Sequence, residues 1–334
     1  MDDTTAARPG NPLHEVLESL ATEQVDVRYG ELDLLSTRDL VSAMGAEDAT
    51  VPIAVAAAGD AIAATVDQVV ARMHQGGRII YVGAGTPGRL GVLDASEAPP
   101  TFGIDPGVIV GVIAGGRDAL LTAVEGAEDD ESAGRADLAA LNVTALDAVI
   151  CISASGRSPY VVAAAREARR RGAFTASIAC NAASDLAKAV DVAIDVVVGP
   201  EILAGSTRLK AGTAQKLVLN MISTITMVRL GKTFGNLMVD LQASNEKLRA
   251  RSERTVMLAT GVDEATAVAT LADVGGSVKA AILVHLGGVD AADALRVLAD
   301  NDGFLRRAIR RATLADGGEI DEGNRQRSGA ASLE

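Results

Sequence analysis

The spacing of apolar and polar positions predicts alternating strands and helices through the middle of the chain. Five short apolar runs are separated by stretches in which apolar residues recur at helical spacing. The runs cover 78–82, 108–113, 148–153, 174–180 and 192–198. Such alternation predicts a parallel sheet with right-handed crossovers and helices on both faces. Ligands of these sheets bind at the carboxyl ends of the strands.

Helical patterns without strands lie on both sides of these runs. Alanine-rich spacing predicts a helix over 50–73, and beyond residue 262 only short helical patterns remain. We therefore expect an α/β fold, with a five-stranded parallel sheet sandwiched by helices and a small C-terminal helical subdomain. The expected divisions are a flexible N-terminal segment over 1–21, the sheet domain with its N-terminal helices over 22–255, the helical subdomain over 256–315 and a disordered tail over 316–334.

The first predicted strand runs into a glycine-rich turn and then a helix. Glycines occupy positions 83, 85, 88 and 91, and helical spacing follows over 89–96. Such a junction directs backbone N–H groups and the positive end of a helix dipole at one point, which suits a phosphate group. Thr86 adds a hydroxyl donor to this turn.

The same glycines satisfy the G-x-G-x-x-G pattern of dinucleotide-binding folds. That interpretation requires an acidic residue about 20 positions further on, where it binds a ribose hydroxyl. The second predicted strand ends instead in Ala114-Gly115-Gly116. A dinucleotide cofactor is therefore disfavoured.

Two further loops carry hydroxyl groups at predicted strand-to-helix junctions. Residues 153–159 read Ser-Ala-Ser-Gly-Arg-Ser-Pro, which indicates a second oxyanion or phosphate cradle with Pro159 in the first helical turn. Residues 205–213 open a long apolar helix, and Ser206, Thr207 and Lys210 are able to complete an anion site there. Helix capping and surface charge explain this last group equally well.

Two acidic positions are candidates for acid–base chemistry. Glu97 precedes Ala98-Pro99-Pro100, so we expect the helix to stop beside it. The negative end of a helix dipole disfavours a charged carboxylate, as a general acid requires. Glu125 and Glu128 lie in an acidic cluster that is mostly a solvated face, but their spacing would place both on one face of a helix.

Composition excludes several classes of function. The chain has 334 residues, a net charge of −13 and 2% aromatic residues, which disfavours a nucleic-acid partner. Its three histidines are scattered, and no apolar run reaches membrane-spanning length, so we expect no metal site, no membrane and a cytoplasmic location. Cys151 and Cys180 are expected to be buried free thiols.

The chain resembles the N-acetylmuramic acid 6-phosphate etherases, a family of the sugar isomerase (SIS) fold group, from about residue 22 to residue 310. The GSTRLKAGTAQK and SEAPPTF blocks are more specific than any glycine pattern. The matching segments are LLST at 34–37, YVGAGTPGRLGVLDASEAPPTFG at 81–103, IAGG at 113–116, AVEGAEDD at 123–130, SASGRSPYV at 153–161, VVGPEILAGSTRLKAGTAQKLVLNMIST at 197–224 and GNLMVDLQASNEKLR at 235–249.

The resemblance implies a reaction and a set of site residues. The family cleaves the D-lactyl ether at C3 of its sugar phosphate by elimination and hydration, with no metal or other cofactor, and SIS proteins are commonly homodimers. Its catalytic glutamates match Glu97, as proton donor, and Glu128, although Glu125 stays open as the alternative to Glu128. The candidate substrate- and phosphate-binding residues are Gly85, Thr86, Arg89, Ser153, Ser155, Gly156, Arg157, Ser158, Ser206, Thr207 and Lys210.

The sequence departs from the family pattern in its first loop and near its N-terminus. Thr86-Pro87 stands where the family usually has Thr-Ser, which removes a hydroxyl and a backbone donor, and Val25-Asp26 replaces an Arg-Asn pair. A non-catalytic sugar-phosphate sensor of the glucokinase regulatory protein type is the rival interpretation. Aldose–ketose isomerisation is a third, because it uses the same proton abstraction at C2.

Overall fold

The computed structural model describes Leu17, residues 20–241 and residues 245–315. The chain divides into two compact units. The first runs to Pro99 and resumes over Asp105–Thr226, and the second comprises Pro100–Ile104 and the chain from Met227 onward. This division falls before the boundary at residue 255 that the sequence predicted. The predicted tail and nearly all of the predicted N-terminal segment lie outside the described residues.

The first unit contains the five-stranded parallel sheet, so the predicted fold class is confirmed. The strand order is β2-β1-β3-β4-β5, with every neighbouring pair parallel. Strand β1 lies one residue further along than its apolar run, and the other four strands are shorter than theirs, with β5 ending at Asp195 rather than 198. Their bounds are β1 Ile79–Gly83, β2 Ile109–Ile113, β3 Ala148–Ile152, β4 Phe174–Ala179 and β5 Val192–Asp195.

Helices connect and flank these strands. The predicted helix over 50–73 is two helices, because the chain breaks at Ala58. The bounds are α1 Thr37–Asp48, α2 Val51–Ala57, α3 Gly59–Met73, α4 Gly85–Phe102, α5 Glu131–Ala140, α6 Pro159–Arg170, α7 Asp185–Ala189 and α8 Lys210–Arg229.

Glycines let α4 lie directly on the sheet. A Cβ added to Gly91 would lie 2.9 Å from Tyr81 Cβ, and one added to Gly111 of β2 would lie 2.6 Å from Val92 Cα. Real Cβ atoms do not approach so closely, so these positions require glycine. The opposite face of the sheet is buried by an apolar cluster that includes Tyr160 and Val161 of α6.

The second unit is a helical bundle that follows a short β-hairpin. Its apolar core includes Val256, Ile282 and Leu283. Asp240 links the hairpin to the bundle, because Lys232 and Lys279 bind its carboxylate at 3.0 and 2.6 Å. The elements are β6 Thr233–Phe234, β7 Leu237–Met238, α9 Glu246–Thr260, α10 Glu264–Asp273, α11 Val278–Gly287, α12 Ala291–Ala299 and α13 Leu305–Ala315.

Gly111→Ala tests the close packing of α4 on β2. The new methyl group would meet the backbone at Val92, so the free energy of unfolding should fall by about 1–3 kcal/mol. Gly45→Ala is the matched control, since Gly45 is exposed in α1 and its added Cβ meets nothing within 4 Å. Gly45→Ala should raise the free energy of unfolding by up to about 1 kcal/mol. Equal effects of the two changes in urea unfolding would contradict the packing argument.

Candidate functional site

The in-register pairing of β1 with β3 places two candidate loops side by side. Gly83 and Ile152, the last residues of the two strands, are paired. The glycine turn begins immediately after one and the serine loop, Ser153–Ser158, begins immediately after the other. Both loops therefore start at the same edge of the sheet, where ligands of parallel sheets bind.

The glycine turn is short and tightly closed. Only Ala84 separates β1 from α4, and a Cβ on Gly88 would lie 2.7 Å from Gly83 O. Gly85 has a φ of +58°, a left-handed conformation that favours glycine. Pro87 is the third residue of α4, where a proline is tolerated because this N–H has no intrahelical acceptor. Because proline has no N–H, the end of the helix that would face an anion has one donor fewer.

Arg89 and Thr86 extend from the first turns of α4 to neighbouring segments. Arg89 Nε donates to Leu120 O at 3.2 Å. Thr86 lies beside the first turn of α8, because a Cβ on Gly212 would lie 3.5 Å from Thr86 Cγ2. The glycine turn and the start of α8 are thus neighbours.

The serine loop is folded by its own hydroxyl groups. Gly156 N donates to Ser153 Oγ at 3.1 Å, and Arg157 N donates to Ser155 Oγ at 3.2 Å. Ser158 precedes α6, yet no side-chain hydrogen bond caps that helix. The N-terminal amides of a helix carry partial positive charge and require acceptors. An anion would satisfy them here.

The start of α8 already has an internal acceptor. Glu201 is 1% exposed, and its carboxylate accepts hydrogen bonds from Lys210 N at 2.9 Å and Ala211 N at 3.0 Å. Lys210 Nζ donates to Glu47 Oε2 at 2.6 Å, and both side chains are buried. The charge of Lys210 is therefore balanced within the protein. Its predicted role in anion binding, with that of Ser206 and Thr207, stays a prediction.

Glu97 does not lie at a helix end, so that prediction is wrong. Helix α4 continues through Pro99 and Pro100 to Phe102. The fixed φ of proline is itself compatible with a helix, so Pro99 and Pro100 each remove one i→i−4 hydrogen bond without ending α4. Glu97 is an exposed residue inside the helix. Glu97 therefore does not lie at the negative end of the helix dipole.

Glu125 and Glu128 do not share a helical face. In place of a helix, the structure has one 3-10 turn at Gly116–Leu120 and a second at Ala127–Asp129. Gly126, with a φ of +72°, reverses the chain between the two glutamates. Both glutamates are exposed, but the backbone of Glu128 contacts the serine loop, because Ser158 Oγ donates to Glu128 O at 3.5 Å.

Sequence reasoning missed two residues that shape this region. Glu47 looks like an ordinary helix carboxylate, and nothing in the sequence indicates that it pairs with Lys210. Asn181 lies just after β4, where its Nδ2 donates to Ala154 O at 3.2 Å. Its place at the carboxyl end of a strand was a usable signal.

Cys151 and Cys180 are buried free thiols, as predicted. Burial raises the pKa of each thiol to about 12, which opposes formation of the nucleophilic thiolate. Among the described residues, no group of three or more His, Cys, Asp or Glu side chains could hold a metal ion.

Two family models match the sheet domain. The SIS domain model matches residues 129–225, and the model of the glucokinase regulatory protein N-terminal SIS domain matches residues 61–168. A solved structure of a phosphoheptose isomerase from Francisella tularensis aligns with a TM-score of 0.48 and 19% identity, over 58% of this chain and 100% of that chain.

Curated relatives match almost the whole chain. N-acetylmuramic acid 6-phosphate etherase of Streptomyces avermitilis is 57% identical over 89% of this chain and 96% of its own length. The chain belongs to the N-acetylmuramic acid 6-phosphate etherase family. The Streptomyces coelicolor etherase is 58% identical over 90% of this chain and 97% of that relative. The etherase of Serratia proteamaculans is 56% identical over 88% of this chain and 99% of that relative. The family resemblance seen in the sequence motifs is confirmed.

Breaking the buried Lys210–Glu47 pair should destabilise this etherase family member. Glu47→Gln removes the carboxylate that pairs with the buried Lys210 ammonium and should lower the free energy of unfolding by about 3–5 kcal/mol, whereas Lys210→Met leaves Glu47 its hydrogen bonds from Tyr29 and Arg28 and should lower it less. The double variant should recover much of that loss. Glu131→Gln is the control, because its pair with Arg135 is exposed and worth about 1 kcal/mol or less. Additive losses in denaturant unfolding would contradict a coupled pair.

The same pair predicts a pH dependence. Burial alone would raise the pKa of Glu47, but hydrogen bonds from Lys210 and Tyr29 and the charges of Lys210 and Arg28 lower it below 4.5. Its stabilisation is therefore complete above pH 4.5 and is lost as the pH falls through the lowered value. Urea unfolding between pH 3 and 6 should show a shallower acid loss for Glu47→Gln than for the wild type.

Proposed function

We propose that this protein cleaves the D-lactyl ether at C3 of N-acetylmuramic acid 6-phosphate, giving N-acetylglucosamine 6-phosphate and D-lactate. The observation that carries this proposal is 57% identity to an etherase across 96% of that relative. The protein is a carbon–oxygen lyase that acts on a sugar phosphate, in the recycling of cell-wall amino sugars. It uses no metal or other cofactor.

The serine loop is the proposed phosphate site. Ser153, Ser155 and Ser158 supply hydroxyl groups, and α6 offers an N-terminus that no side chain caps. The exposed guanidinium of Arg157 adds positive charge beside the loop and is held 3.5 Å from Asp185. In an acidic protein, this local combination of donors and charge is what an anion needs.

Glu97 and Glu128 are the proposed catalytic carboxylates. Ring opening exposes an aldehyde that acidifies the C2 proton, one carboxylate removes it, lactate leaves from C3, and water adds to the unsaturated intermediate. Two carboxylates with different environments suit this acid–base work. Glu97 lies within α4, and Glu128 lies in a loop whose backbone contacts Ser158. That contact supports Glu128 over Glu125.

The rival interpretation is a sugar-phosphate sensor. The glucokinase regulatory protein model matches residues 61–168, which is less than half of the chain. The etherase relatives match far more of it, with 90% of the chain matched by the Streptomyces coelicolor protein. The etherase proposal is therefore better supported, with the loss of a donor at Pro87 as the main point in favour of a sensor.

We further propose a cytoplasmic homodimer that binds neither nucleic acid nor a membrane. By length and composition, Thr37–Ala57, which contains α1 and α2, is the one described stretch without a sharp bend that could span a membrane, with a mean hydropathy of 1.3 and only 17% buried. Val41 and Met44, 67% and 40% exposed, lie three apart on α1. A second copy of the chain would bury this apolar face.

Lactate release tests the proposed activity. The purified protein should release D-lactate from N-acetylmuramic acid 6-phosphate, and Glu97→Gln and Glu128→Gln should each lower kcat by about 100-fold or more. Glu125→Gln is the matched control, since it removes a nearby exposed carboxylate, and it should keep wild-type activity. Loss in Glu125→Gln with activity retained in Glu128→Gln would reverse the assignment.

Deuterium exchange at C2, measured together with lactate release, distinguishes an etherase from an isomerase and from a sensor. In deuterium oxide, the etherase product should carry deuterium at C2, because that proton is removed and replaced. An isomerase would exchange the same proton without releasing lactate. A folded protein that binds the sugar phosphate but neither exchanges the proton nor releases lactate would be a sensor.

Substitution on α1 tests the homodimer. Val41→Asp combined with Met44→Asp should convert a dimer to a monomer in sedimentation, because two charges would lie in a buried apolar interface. Ala46→Asp, which adds a charge to another side of the same helix, should leave the dimer intact. A monomeric wild type, or an unchanged dimer in the double variant, would contradict this interface.

A further inference from the structure

A buried amide lies behind the serine loop, at the carboxyl end of β4. Asn181 is 5% exposed, and its Nδ2 donates to Thr22 Oγ1 at 3.0 Å, to Ala154 O at 3.2 Å and to Ser155 O at 3.4 Å. Two backbone carbonyls fix the orientation of the amide, because only its nitrogen can donate to them. One side chain therefore holds two successive peptide groups of the loop.

These bonds determine where the opposite sides of the peptide groups point. In a trans peptide the C=O and the following N–H point in opposite directions. Because Ala154 O and Ser155 O face Asn181, the N–H groups of Ser155 and Gly156 face away from it. The N–H group of Gly156 donates to Ser153 Oγ at 3.1 Å, which orients the Ser153 hydroxyl.

The next peptide group of the loop is also held by a hydrogen bond to its carbonyl oxygen. Gly156 O accepts from Leu186 N at 2.9 Å. Gly156 has a φ of +70°, and a Cβ there would lie 2.3 Å from Ser184 Oγ. Three successive carbonyls of the loop thus accept hydrogen bonds from Asn181 or from the start of α7. Of the following N–H groups, those of Gly156 and Arg157 donate to Ser153 Oγ and Ser155 Oγ, and no side chain caps the start of α6.

Thr22 connects this arrangement to the N-terminal segment. Thr22 is fully buried, and its hydroxyl oxygen accepts from the same amide that holds the loop. The next residue, Glu23, approaches the turn before α8, because its Oε2 would lie 3.3 Å from a Cβ on Gly205. Asn181 is therefore the point at which the serine loop and the N-terminal segment are joined.

We infer that Asn181 is a positioning residue, which holds the Ser153–Ser158 loop in its phosphate-binding conformation through Ala154 O and Ser155 O and couples that loop to Thr22. The inference rests on the proposed function in one respect, namely that the serine loop binds the phosphate of the substrate. Asn181 acts through the loop and does not contact the reacting atoms.

Asn181→Asp tests this role with almost no change in side-chain shape. The carboxylate cannot donate to the two carbonyls and repels them, so the loop should rotate its donors away from the anion. Dissociation constants for N-acetylglucosamine 6-phosphate and for inorganic phosphate, measured by calorimetry, should rise by about 10- to 100-fold. Thr22→Val, which removes only the hydroxyl acceptor, should raise them by about 10-fold or less.

The control is Asn220→Asp, which adds the same charge at an exposed position of α8 and should leave both constants unchanged. If Asn181→Asp does not fold by circular dichroism, Asn181→Ser replaces it, because it removes the amide without adding charge. A lower melting temperature with unchanged phosphate affinity in the folded variant would overturn the inference and leave Asn181 a purely structural residue.

Failure of this inference is distinguishable from failure of the proposed function. A wild type that releases no lactate but binds both phosphate ligands more tightly than Asn181→Asp would refute the etherase activity and support the role of Asn181. A wild type that releases lactate, with phosphate affinity equal to that of Asn181→Asp, would refute only the role of Asn181.

Discussion

The parallel pairing of β1 with β3 is the constraint on which the candidate site depends. Because Gly83 and Ile152 end their strands as partners, the glycine turn and the serine loop start next to each other. Each loop then feeds a helix whose first turn presents backbone donors. A shift of this register by one residue would turn the strand side chains to the other face and separate the loops.

Three helix starts near this edge of the sheet differ in how their amides are satisfied. The first two N–H groups of helix α8 donate to the buried carboxylate of Glu201. Helix α4 has lost one donor to Pro87, and Gly83 packs against Gly88. Helix α6 also lacks one donor, at Pro159, but it has three nearby hydroxyl groups and no side-chain cap. This difference, which rests on single residues, explains why the serine loop is the best-supported phosphate site of the three.

The five strands, their parallel arrangement and the fold class were predictable from the sequence, because apolar runs alternating with helical patterns admit few topologies. The helix through Pro99 and Pro100 was not, since the φ of proline fits a helix and the burial of Ala98 and Phe102 is not visible in the sequence. The partners of Lys210 and Asn181 could not be predicted from the sequence either. Glu47 is 163 positions from Lys210, and Thr22 is 159 from Asn181, so no local pattern reports these contacts.

A crystal structure with N-acetylglucosamine 6-phosphate bound would test the central claim most directly. We expect phosphate oxygens within about 2.7–3.2 Å of the Ser155 N–H and of the hydroxyl groups in the serine loop, against the start of α6. A phosphate bound instead at the start of α8, with Lys210 released from Glu47 to contact it, would contradict the account.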